Sequence, residues 1–247
     1  LPTWLKFLNK LAVVGEGKDI QPVRKNQALI IKGLIQNKAK TLTPSLYRTE
    51  EEWKTCVELM EERDEISKDP RPGGLAYHIE LIDLLYRCAK GENKPAEQLC
   101  QNEVPLESIE RGLCDKQTVP AVKKAYLNFL YESYVYLERP KRATPTDPRI
   151  WNILEKLAED LLNSQITMVA VGSVEDNFRT SEEYVQAEIQ YLYREGFEFI
   201  TNWYMRFYQP EGNPDAEPPV LSWAENPAIT LERQENMRRI SKKVFDG

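Results

Sequence analysis

The sequence predicts an all-α fold, either an armadillo-like α-solenoid or an irregular helical bundle. Three observations carry that expectation. Apolar residues recur at spacings of three and four through most of the chain, the period of one face of a helix. Capping boxes, prolines at first-turn positions and glycines after apolar runs punctuate those stretches as helix starts and stops. No βαβ alternation is present, nor a regular series of short alternating strands. No sharp internal repeat is visible either, so a solenoid here would be a degenerate stack of helix pairs.

Trp4, Leu5, Leu8, Leu11 and Ala12 form the stripe of a first helix, ended by Gly15-Glu16-Gly17. A second helix is expected from Pro22 to Ile35, with Val23, Ile30, Ile31 and Leu34 inward and Pro22 at the first helical position. Thr49 followed by Glu52 is a capping box, in which the threonine hydroxyl and the glutamate carboxylate each satisfy a free backbone N–H. Trp53, Val57, Met60 and Ile66 supply that helix's stripe, and 68–74 (KDPRPGG) breaks it. Residues 75–88 are strongly apolar, and Gly91 lies where a C-cap glycine belongs. Short helices follow around Pro95 and from Pro105. Thr118-Val119-Pro120 opens a long one to Leu137, with Val122, Ala125, Tyr126, Phe129, Leu130 and Tyr134 inside. A basic, Pro-rich connector runs over 139–148. Asp147-Pro148 then caps a helix whose inner residues are Trp151, Leu154, Leu157, Leu161 and Leu162. Thr180 and Glu183 form another capping box, opening a helix through Ile189, Leu192, Phe197, Ile200 and Tyr204. The stretch 209–229 is a Pro-rich loop or linker, and 230–245 a last, charged helix. The reading treats 1–247 as one helical domain.

Composition bounds the function. The chain is 41% hydrophobic and 29% charged, the balance of a soluble folded protein, and its net charge of −6 argues against a nucleic-acid binder. Cys56, Cys88, Cys100 and Cys114 lack metal-knuckle or redox spacing and read as reduced, mostly buried thiols. No run of some 18 apolar residues exists, so no direct membrane insertion is expected. No signal peptide is visible, and the chain lacks an initiator Met, as a fragment of a longer protein would.

Little in the sequence supports catalysis. The single histidine, His78, sits inside an apolar helical run, where a structural role competes with that of a catalytic base. Gly15-Glu16-Gly17 lacks the further glycine and Lys-Ser/Thr pair of a phosphate loop. The clusters Glu50–Glu52 and Glu61-Glu62 read as solvated helix faces. Asp and Glu spacings do not match a calcium loop. No cofactor or metal ligand is assigned. Aromatics at helical spacing in 184–208 read as core, with Trp203, Tyr204 and Tyr208 open to a role against a neighbouring domain. Thr144 is the one candidate modification site. Phosphate there would sit among Arg139, Lys141 and Arg142 and form charge-assisted hydrogen bonds, while the alternative is an ordinary basic connector.

Two segments carry a family resemblance. One is Tyr77-His78-Ile79-Glu80-Leu81-Ile82-Asp83-Leu84-Leu85, continuing through Cys88, Gly91, Asn93, Glu97 and Cys100 to Pro105-Leu106. The other is Val119-Pro120-Ala121-Val122-Lys123-Lys124-Ala125-Tyr126-Leu127-Asn128-Phe129-Leu130, then Tyr134-Val135, with Trp151 beyond. Together they resemble the helical homology domain shared by inositol trisphosphate and ryanodine receptors, in its inositol trisphosphate receptor form. The resemblance is best over 70–163 and fades beyond Ser164. It implies an armadillo-like module in the cytosolic part of a homotetrameric calcium-release channel of the endoplasmic reticulum membrane. Its partners would then be other domains of the same subunit and neighbouring subunits, and its work would be to relay ligand-induced change towards the pore. No ligand-contacting residue carries over, because the family's inositol phosphate site belongs to a different, basic segment. A ryanodine receptor helical domain and a free-standing helical scaffold binding a partner protein are the alternatives. An enzyme is not expected.

Overall fold

The computed structural model describes residues 2–15, 20–61, 74–137, 144, 147–170 and 182–207. The described chain is all-α apart from one two-residue strand pair. Its packing divides into two compact units, Leu1–Glu138 and Arg139–Gly247.

The first unit opens with α1 (Pro2–Ala12), which runs into a short strand, Val13–Val14, paired antiparallel with Gln21–Pro22. Pro22 therefore sits opposite Val13 rather than at the first helical position the sequence suggested. Proline has no N–H to donate, so an edge strand accepts it. Helix α2 begins two residues later and spans Arg24–Gln36, burying Gln27, Ile30, Ile31 and Leu34. Val23, expected inside, is its half-buried N-cap. A single helical turn, α3 (Lys38–Thr41), and a 3-10 turn (Thr43–Ser45) lead to α4 (Glu50–Glu61). The expected capping box is formed in both directions. Glu52 N–H donates to Thr49 Oγ1 at 3.2 Å, and Thr49 N–H donates to Glu52 Oε2 at 3.1 Å.

Helix α5 (Leu75–Ala89) is the centre of this unit, with ten buried residues. It packs against α1, α2, α6 (Lys94–Glu103) and α8 (Pro120–Leu130). A helix apolar nearly all round can only be stable when neighbours cover it on most sides. Each large apolar side chain buried there contributes about 1.5–3 kcal/mol. Helix α7 (Leu106–Cys114) packs on α8. Gly112 lets the two approach, since a Cβ there would lie 3.1 Å from the Tyr126 ring. Pro120 takes the first helical position of α8 as expected, with Val119 as extended N-cap.

Two π-helical turns shift the inward faces the sequence reading assigned. After α8, Tyr131–Val135 winds with a wider ring, closed by Tyr136 N–H to the Tyr131 carbonyl at 2.7 Å. The extra residue per turn rotates the face. Glu132, Ser133 and Val135 turn inward, and Tyr134 is only half-buried, its hydroxyl donating to the Val104 carbonyl at 3.0 Å.

The second unit contains α9 (Pro148–Ala170), α10 (Glu182–Gln190), a π turn (Tyr191–Gly196) and α11 (Phe197–Phe207). Asp147 caps α9 through Oδ1, accepting Arg149 N–H at 3.0 Å. Trp151, Leu154, Leu157 and Leu161 are buried as expected, while Leu162 is half-buried. The π turn moves Phe197, expected inside, out to solvent. Ile200 and Trp203 are buried as expected, together with Phe199 and Phe207. The KDPRPGG breaker before Gly74, Ile66, Thr180, Tyr208, the Pro-rich stretch and the last charged helix lie outside the described residues.

Candidate interaction surface and buried polar centres

The resemblance motif Cys88, Gly91, Asn93 builds the end of α5. Gly91 has φ +82°, the left-handed conformation that ends a helix without Cβ strain. A Cβ there would also meet Pro22 Cγ at 2.6 Å, so the close approach of the strand pair needs glycine as well. Gln27 from α2, fully buried, donates to the carbonyls of Arg87 and Lys90 at 2.8 and 3.1 Å. Asn93 Nδ2 donates to Gln27 Oε1 at 3.2 Å and to the Cys88 carbonyl at 3.0 Å. Arg24 donates to the Gly91 carbonyl. Carbonyls that a helix end leaves open are thereby satisfied from two other segments.

His78 lies at the middle of the same unit and is fully buried. Its Nδ1 donates to the Ser45 carbonyl, which fixes the tautomer because a carbonyl can only accept. The ring packs between Tyr47 (centroids 5.1 Å) and Tyr126 (5.6 Å). Burial lowers its pKa to about 4, only partly offset by the Ser45 hydrogen bond. His78 is therefore neutral at pH 7 and ties α5 to the 3-10 turn and α8. Trp53 Nε1 donates to Asp115 Oδ2 at 3.0 Å, joining α4 to the α7–α8 connection.

Burial pushes the Cys88 thiol up to about 12 and raises those of Cys56 and Cys100 as well, which suppresses their thiolate chemistry. None of the four cysteines is in a disulfide. Among the described residues no group of three or more His, Cys, Asp and Glu could hold a metal ion.

Two buried carboxylates hold distant elements together. Glu103 at the end of α6 accepts Lys38 Nζ at 2.6 Å and Arg48 Nη1 at 3.3 Å. Glu132 accepts Lys90 Nζ at 2.7 Å, although burial still raises its pKa. Burial raises Asp83 to about 6, with the Arg87 charge opposing. Neither carboxylate pairing is readable from sequence, since the partners of Glu103 lie 65 and 55 residues away.

Thr144 is 7% exposed, and its carbonyl accepts Asp147 N–H at 3.4 Å. Arg139, Lys141, Arg142 and Pro145 lie outside the described residues. A kinase would reach Thr144 only if its segment opened. Trp203 is core of the second unit, packed on Trp151 and on Phe207 with centroids 6.1 and 4.4 Å apart. Tyr204 is half-buried beside it.

The surface that sequence reasoning missed is the outer face of α1 and α2. Trp4 and Leu11 were expected inside but are exposed, as are Phe7 (59%), Leu29 (69%) and Ile35 (51%). A groove of about 380 Å³ runs between the two helices, with Trp4, Leu8 and Leu11 on one wall and Leu29 and Leu34 on the other. A second, of about 400 Å³, flanks the opposite side of α2 against Pro95 and Ala96 of α6. Contiguous exposed apolar surface of this kind marks contact sites. The missed signal was in the sequence. The apolar residues of α1 and α2 cover more of each helix than one neighbour can bury.

No protein-family model matches the chain. It is similar to the inositol 1,4,5-trisphosphate receptor itr-1 of Caenorhabditis elegans, with 32% identity over 92 residues. Those residues are 37% of this chain and 3% of that receptor. The chain is thus a distant relative of inositol trisphosphate receptors over part of its length.

Proposed function

We propose that this chain is a segment of the cytosolic coupling region of an inositol trisphosphate receptor-type calcium-release channel of the endoplasmic reticulum, from the helical homology domain it resembles. In this reading it is an armadillo-like stack within a homotetrameric channel. It relays ligand-induced change towards the pore through contacts with other domains of its own and neighbouring subunits. It acts by contact rather than by catalysis, and it uses no cofactor. The similarity to the worm receptor carries the reading. The exposed apolar face of α1 and α2 supports it, because a module that stacks on further helices presents such a face. Among the described residues no helix is long and apolar enough to cross a membrane, which suits a segment outside the bilayer.

Packed helices can pass on a displacement because their interfaces rearrange rather than compress. Demonstrating such coupling requires perturbing one element and reading another. Phe129 is fully buried in α8, and truncation to Ala should cost the unit about 3–5 kcal/mol. Introduced into the full-length protein, Phe129→Ala should reduce inositol trisphosphate-evoked calcium release while leaving inositol trisphosphate binding to the same membranes intact. Unchanged release from a variant whose helical segment is measurably destabilised would remove the coupling role.

A further inference from the structure

We propose that the α1–α2 face is a docking site for an amphipathic α-helix whose polar side is acidic. The inference goes beyond the channel reading and does not depend on it.

Charge complementarity identifies the occupant. Residues 1–49 carry nine Lys and Arg against two acidic residues, in a chain whose overall charge is −6. Neither α1 nor α2 contains an acidic residue. Lys10, Lys25, Lys32 and Lys40 are exposed and have no carboxylate partner among the described residues. The basic residues sit on the same two helices, and the short turn after them, that expose Phe7, Leu29 and Ile35. An apolar face with a basic surround is complementary to a helix with an apolar stripe and acidic flanks.

Shape selects a helix over a flat surface. The apolar walls form grooves on both sides of α2, and a bilayer does not enter a groove between two helices. Gly33 lines the groove between α1 and α2, and a Cβ built there meets nothing within 4 Å. A glycine in the middle of a helix lowers its stability. Here no packing constraint among the described residues explains it. The open space in front of it is a notch in the groove wall, suited to the close approach of a second backbone.

The test uses the full chain and three probes. The first is a designed amphipathic peptide with Leu at helical spacing and Glu on its polar side. The second carries Lys in place of Glu, and the third is a phosphatidylserine-containing vesicle. Fluorescence anisotropy should show the Glu peptide binding about tenfold or more tightly than the Lys peptide, with an affinity that falls as salt rises. Lys25→Glu with Lys32→Glu should weaken it about tenfold. Gly33→Leu should abolish binding with helical circular dichroism unchanged. If that variant fails to fold, Gly33→Ala, which fits the open space, should still weaken binding while the melting temperature holds or rises. Equal binding of both peptides, or binding of neither, would overturn the proposal. Vesicle binding without peptide binding would reassign the face to membranes. A concentration-dependent dimer that buries Trp4 and excludes the peptide would reassign it to a second copy of the chain.

Discussion

Replacing His78 by Leu tests the buried centre through its pH dependence. In the folded state His78 titrates at about 4, whereas an unfolded histidine titrates near 6.5. Between those values the unfolded chain binds the extra proton and the folded one does not. The folded state is therefore fully favoured above pH 6.5 and loses ground as pH falls. At 1.36 kcal/mol per pKa unit, the gap amounts to about 3 kcal/mol once pH is below both values, most of it already lost at pH 4.5. Other groups titrate in the same window. Burial raises Asp83 to about 6, so its contribution has the opposite sign and favours the folded state as pH falls. The difference between wild type and His78→Leu cancels that term. Urea denaturation should show the variant about 1–3 kcal/mol less stable at pH 7.5, because the Ser45 carbonyl loses its donor. By pH 4.5 that deficit should have shrunk by about 2–3 kcal/mol, enough to close or reverse it. A deficit independent of pH would refute the buried, neutral His78 and the contact that holds it.

Two further substitutions probe how elements end and begin. Gly91→Ala combines a positive φ with a Cβ 2.6 Å from Pro22 Cγ. It should cost about 1–3 kcal/mol in a thermal or urea melt, and an unchanged midpoint would show that the α5 terminus does not hold the strand pair. Thr49→Ala removes one half of the box at the start of α4 and should cost about 1 kcal/mol. In a double-mutant cycle with Glu52→Ala the losses should be coupled, and strict additivity would mean that the two hydrogen bonds form independently.

Much of the helical framework was readable because the signals are local. Thr49 with Glu52, Asp147 before Pro148, and Val119-Pro120 each act within one turn, and each cap sits where the sequence places it. Errors arose where a tertiary constraint overrode a local one. Pro22 looks like a first helical residue until the pairing of Val13 with it is known. Phe197 and Tyr134 follow an unbroken helical period in sequence, but each lies at or after a π turn that rotates the face. Gln27 could have been placed in the core from its register with Ile30, Ile31 and Leu34, but its polarity hid it. Glu103 could not, since its cations come from segments distant in sequence. Trp4 and Leu11 were assigned inward because an apolar stripe normally faces core. In this chain part of that stripe faces out, and it is the feature from which the docking proposal follows.

The channel reading is tested most directly by isolating the native protein from detergent-solubilised internal membranes with an antibody raised against this chain, then reconstituting it in planar bilayers. The account predicts a polypeptide far larger than the 28.7 kDa of this segment that carries a calcium current opened by inositol trisphosphate. A small polypeptide recovered without membranes, giving no such current, would contradict it.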